Sequence, residues 1–119
     1  MTKMMKWTAL ETEEQIDHLW EESKSQPVLI FKHSTRCAIS NTILNRLERN
    51  WQGEKLVPIR TYLLDLLSYG NISQRIADSF NVTHESPQLL IVQNGQPALV
   101  RSHLDIRFEE IRQVVPAKN

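Results

Sequence analysis

Cysteine is nearly absent from this chain: its 119 residues hold one, at position 37. No internal disulfide can form, so any disulfide chemistry must take its second sulfur from another molecule. Glycine is also rare, at three residues, and no repeat, low-complexity tract or linker divides the sequence. Charge of one sign is missing too: 14 basic residues balance 14 acidic ones. A balanced chain has no field to draw in a polyanion, and nucleic acid is not an expected partner. No apolar run is long enough for a bilayer, and Met1 to Lys6 lack the apolar stretch and cleavage site of a secretory leader. The expectation is a protein of the reducing cytoplasm, away from membranes. Its four histidines, His18, His33, His84 and His103, lack the spacing of a metal site.

What is present suits one domain over residues 1–119, with 40% hydrophobic residues to build a single core. Trp7 to Leu10 reads as a short opening strand. Glu11 to Ser25 reads as a helix capped by Thr12, with Ile16, Leu19 and Trp20 at helical spacing and Pro27 ending it. Val28 to Phe31 is wholly apolar, the mark of a central strand covered on both faces. After Lys32-His33-Ser34-Thr35-Arg36 comes Cys37. A second helix then extends to about Trp51, its stripe formed by Ile39, Ile43, Leu44 and Leu47.

Leu56 to Asp65 reads as a strand that tolerates Pro58 near its start. A third helix carries Ile76, Ala77 and Phe80 on one face and ends at Asn81. Gln88 to Val92 and Pro97 to Val100 flank Asn94-Gly95, the strongest short signal for a tight hairpin. A last helix over Asp105 to Val115 has Asp105 as its cap. The order β-α-β-α-β-α-β-β-α is that of an α/β thioredoxin-like mixed sheet with helices on both faces.

Two local features place chemistry on this frame. Cys37 follows the exit of a central strand and opens a helix, where free N–H groups and the positive helix end favour a thiolate over a thiol. Ser86-Pro87 stands immediately before the hairpin, where this fold sets a cis-proline loop beside the nucleophilic sulfur, and X-Pro bonds adopt the cis form at small cost. Ser40 occupies the place of the resolving cysteine in C-x-x-C proteins, so its hydroxyl is a candidate donor to the thiolate. Lys32, His33 and Arg36 put chargeable groups near the sulfur in sequence, and strand alternation prevents all of them from facing it. Tyr62 and Asp65 read as packing and strand-end residues, and the three tryptophans as packing.

Ser34-Thr35-Arg36-Cys37-Ala38-Ile39-Ser40, Tyr62 with Asp65, Ile72-Ser73 with Ile76-Ala77, and His84-Glu85-Ser86-Pro87-Gln88 together resemble the monothiol bacilliredoxin family. That family carries a T-C-P-I-S-like motif; here Arg36 replaces its frequent threonine and Ala38 its frequent proline. The resemblance implies a thiol-disulfide oxidoreductase of the stress response that removes bacillithiol from S-thiolated client proteins. Cys37 would be its nucleophile, and Thr35, Arg36, Ala38, Ser40, Ser86 and Pro87 would meet the small thiol. His84 and Glu85 would tune the site. It implies a monomer with no cofactor beyond the small thiol as co-substrate. The alternatives are an iron-sulfur carrier like the monothiol glutaredoxins, which typically place glycine and phenylalanine where this chain has Ala38-Ile39, and a non-catalytic thioredoxin-fold adaptor.

Overall fold

The computed structural model describes residues 5–118. A five-stranded sheet has the order β1-β3-β2-β4-β5, built from β1 (Thr8–Ala9), β2 (Val28–His33), β3 (Arg60–Asp65), β4 (Gln88–Gln93) and β5 (Gln96–Ser102). β2 pairs parallel with β3 and antiparallel with β4, so it is the middle strand. All six of its residues are buried. Burial of each of its four apolar side chains stabilises the fold by about 1.5–3 kcal/mol, which is why this run, rather than any local propensity, sets the sheet's centre.

Alternation along β2 sorts the core into two layers. Leu29 and Phe31 pack with Ile43 and Leu47 of α2 (Ala38–Asn50) and with Phe108 and Ile111 of α4 (Phe108–Arg112). Val28 and Ile30 pack on the other face with Ile16 and Leu19 of α1 (Glu13–Glu22) and Ile72, Ile76 and Phe80 of α3 (Gly70–Phe80). The expected fold class and element order are therefore present, with helices on both faces. None of the helices among the described residues is long and apolar enough to cross a membrane.

Several boundaries differ from the sequence reading, each for a local reason. α1 starts later than expected because Thr12 is its cap: Thr12 Oγ1 accepts from Gln15 N–H while Gln15 Oε1 accepts from Thr12 N–H. Trp20 does not join the buried stripe; it is 41% exposed, with the Lys24 ammonium 4.0 Å from its ring centroid. β2 runs two residues beyond Phe31, because Lys32 and His33 find buried partners. β3 begins at Arg60 rather than Leu56. Leu56 instead pairs singly with Ala117, which leaves Pro58 outside the ladder. The last helix is shorter than expected, and Asp105 does not cap it. Asp105 lies in a 3₁₀ turn, His103–Asp105, and Arg107 stands at the cap position. Ile106, Ile111 and Val115 are buried as expected.

At the hairpin, Asn94 (φ 53°) and Gly95 (φ 74°) are both left-handed, the pattern of a type I′ turn. Its backbone is fixed from α1, since Asn94 N–H donates to Ser23 O and Gly95 N–H to Ser23 Oγ. A Cβ on Gly95 would sit 2.7 Å from Trp20 Nε1. Gly95→Ala is expected to lower unfolding free energy in urea by about 1–3 kcal/mol, from left-handed strain plus overpacking. In a Trp20→Ala background only the strain, about 1 kcal/mol, should remain.

Candidate active site

The single cysteine sits where β2 hands over to α2. β2 ends at His33, the chain turns through Ser34-Thr35-Arg36, and Cys37 is the N-cap of α2 in extended backbone (φ −102°, ψ 117°). Cys37 N–H closes the turn on Ser34 O at 3.1 Å, and Cys37 O accepts the first helical bond from Asn41 N–H at 3.0 Å. Asn41 Nδ2 reaches back to Thr35 O. The turn is thus bonded at both ends. The Cys37 side chain caps no backbone N–H and is half-buried, while Thr35, Arg36 and Ala38 are exposed around it.

Ser40 is completely buried, and its hydroxyl has two partners: Ser34 N–H at 3.1 Å and His33 Nδ1 at 2.7 Å. The oxygen accepts from Ser34 N–H, and the hydroxyl and His33 Nδ1 share the second hydrogen bond. Burial holds His33 below its ordinary pKa, against the opposing pull of the Asp65 and Glu48 carboxylates, which favours the neutral imidazole. The expected Ser40 donation to the sulfur is therefore replaced by a bond to His33. Ile39, expected on the buried stripe, is 54% exposed beside the cysteine. Ser40 points inward in the first turn because it has polar partners there.

Ser86-Pro87 is cis, as expected for the loop before β4. Gln88 pairs with Lys32, which puts Pro87 at the His33 end of β2, the end that leads into Cys37. Pro87 O accepts from His103 N–H at 3.1 Å. His103 has φ 54°, an uncommon conformation for a bulky side chain, and its Nδ1 lies 3.8 Å from Glu85 Oε2. This contact is not legible in the residues, because a left-handed histidine has no residue signature. Asp65 stays in a structural role: its carboxylate accepts from Leu67 N–H and Ser68 Oγ.

Lys32 faces the opposite side of the sheet from His33. Its side chain is fully buried, with Nζ 3.3 Å from both Ser73 O and His84 Nδ1. Burial brings its pKa down to about 8. His84 is held low by burial and by the Lys32 charge, opposed by Glu85. Neither Lys32 nor His33 is therefore a free cation over the sulfur; of the three groups near it in sequence, only Arg36 is exposed.

The sheet order, a cysteine at the start of α2 and a cis-proline ahead of β4 define a thioredoxin-fold protein with a single cysteine. Residues 8–111 match the family described as Monothiol bacilliredoxin BrxC, and the chain belongs to that family of thiol redox proteins. Among solved structures, a protein assigned as an oxidoreductase with a thioredoxin fold is similar at 28% identity, with 88% of this chain and 89% of that chain covered and a TM-score of 0.75. Thioredoxin from Trypanosoma brucei brucei is similar at 11% identity over 94% of this chain and 93% of its own (TM-score 0.73). Thioredoxin O2 from Arabidopsis thaliana is similar at 17% over 93% and 96% (TM-score 0.70). The last two likenesses concern the fold.

Two predictions come from this geometry. Ser40→Ala strips both Ser34 N–H and His33 Nδ1 of their partner and should cost about 1–3 kcal/mol in denaturant unfolding. The second concerns pH. Lys32, His33 and His84 all bind protons less readily in the fold than in the unfolded chain, so stability rises with pH across each window. For Lys32 the window runs from about 8 to its ordinary 10.5, a total of about 3 kcal/mol. Urea unfolding at pH 7.5 and 9.5 should show the rise in wild type and its loss in Lys32→Met. For the two histidines, stability should fall as pH drops below the ordinary 6.5.

Proposed function

We propose that the protein is a monothiol thiol-disulfide oxidoreductase that takes a low-molecular-weight thiol, bacillithiol in keeping with its family, off mixed disulfides on client proteins. The observation that carries this reading is the place of the only thiol: half-buried, at the N-cap of α2, at the sheet end where the cis Ser86-Pro87 bond precedes β4. In the first step the Cys37 thiolate attacks the small thiol's sulfur in the mixed disulfide. The S–S bond breaks, the client cysteine leaves as a thiolate, and a new disulfide joins Cys37 to the small thiol. A second molecule of small thiol, as thiolate, then attacks that adduct, restores the Cys37 thiolate and departs as the symmetric disulfide. The sum consumes one free small thiol and passes the disulfide bond from the client to the pair of small thiols, and no metal or organic cofactor is needed.

The site's residues divide this work. α2 directs its unpaired first-turn N–H groups toward the Cys37 end, where negative charge is favoured. Exposed Thr35, Arg36 and Ala38 border the sulfur on the turn side and receive the small thiol, with the Arg36 guanidinium suited to a carboxylate. Ser86 offers backbone groups to an extended segment in the manner of an added strand. Ser40 shapes the turn and, having no thiol, closes the intramolecular escape route of dithiol proteins. His84 and Glu85 flank this loop. The reaction suits a monomer in a reducing cytoplasm.

The test is intact-mass spectrometry of the protein mixed with a client protein carrying bacillithiol on a cysteine. The wild type should gain the mass of one bacillithiol while the client loses it, and Cys37→Ser should do neither. Equal release of the client's modification by both proteins would overturn the mechanism.

A further inference from the structure

A second feature lies away from the sulfur. Between the C-terminal half of α2 and α4 is a cavity of about 310 Å³ whose walls include Arg46, Arg49, Arg107 and Arg112. Glu109 is the one acid lining it, and it already sits 3.6 Å from Arg112. Four of the chain's 14 basic residues thus share one cleft in a protein of zero formal charge. Like charges held together repel, and the repulsion is relieved most directly by a bound anion.

Arg46 gives the cleft a fixed element. Its Nη2 donates to Leu104 O at 2.9 Å and to Ile106 O at 2.7 Å, so the guanidinium plane is held by backbone. Its Nε is shielded from solvent and has no acceptor among the described residues. With both Nη2 protons on carbonyls and Nε closed to solvent, Nη1 is the part of this group left to meet an anion in the cleft. The guanidinium fork matches phosphate oxygens in pairs, and a set of forks around one cavity favours more than one phosphate group over a single carboxylate.

We infer that the cleft between α2 and α4 is a binding site for a diphosphate-bearing small molecule, with Arg46, Arg49, Arg107 and Arg112 as its ligands. Arg49 is twelve residues along α2 from Cys37, about 18 Å at the helical rise, so the site is separate from the sulfur and independent of the proposed reaction. It is nevertheless connected to the proline loop. Arg46 holds the 103–106 strap by its carbonyls, and His103 N–H in that strap donates to Pro87 O.

The test is isothermal titration of the full chain with sodium pyrophosphate, ADP and sodium sulfate at one ionic strength, with the Arg46 Nε–H resonance followed by NMR. Pyrophosphate should bind one to one, about tenfold or more tighter than sulfate, and move the Arg46 resonance. Arg49→Ala and Arg112→Ala, both at exposed positions that leave the core intact, should each weaken it by about tenfold. Equal affinity for pyrophosphate and ADP would identify the diphosphate as the group read, and tighter ADP would extend the site to the nucleoside; both support the assignment. Binding that does not distinguish sulfate from pyrophosphate, or that survives both substitutions, would overturn it. So would binding of a polyglutamate peptide with none of pyrophosphate, which would make the cleft a docking surface for acidic protein.

Discussion

The hydroxyl of Ser40 holds the strand-to-helix junction together. It accepts from the backbone of the turn and shares a hydrogen bond with the last residue of the central strand, joining three consecutive parts of the chain through one oxygen. The cysteine is carried on that junction. Its backbone N–H closes the same turn, so the position of the sulfur follows from bonds made by its neighbours rather than by itself. Such a polar network inside a packed layer is stable only when every member is paired.

The central strand explains why that layer can hold a histidine at all. Its first four residues are apolar and seal both faces, and its last two are basic and point to opposite faces. His33 meets a hydroxyl from α2, and Lys32 meets a carbonyl of α3 and a loop imidazole. Lys32 has no carboxylate among these partners, which is an expensive arrangement for an ammonium group. Both side chains sit where the strand leaves the sheet, so the polar end of the core coincides with the end that carries Cys37.

Much of this was legible in the residues. The all-apolar run announced a doubly covered strand, Asn94-Gly95 announced the hairpin, and Asn81 announced the left-handed end of α3, because each depends on local chemistry. The cysteine and the proline loop were legible as positions in a known order of elements. What escaped reading depended on distant partners. Ser40 is buried and Ile39 exposed because a histidine seven residues from Ser40 supplies a bond that no helical pattern encodes. Lys32 is buried because α3 and residue 84 converge on it from far along the chain. Leu56 to Ile59 have the composition of a strand, yet they bridge only to the C-terminal tail.

The two borders of the sheet carry a consequence of their own. On one side β1 offers only two residues, and on the other β5 contains Pro97, which has no N–H, next to a break in register between Ile91 and Val92. Neither margin presents the long, regular row of free backbone groups on which a foreign strand could grow. An exposed polypeptide that approaches this molecule finds little to zip onto at the periphery, which discourages fibre-like stacking between copies.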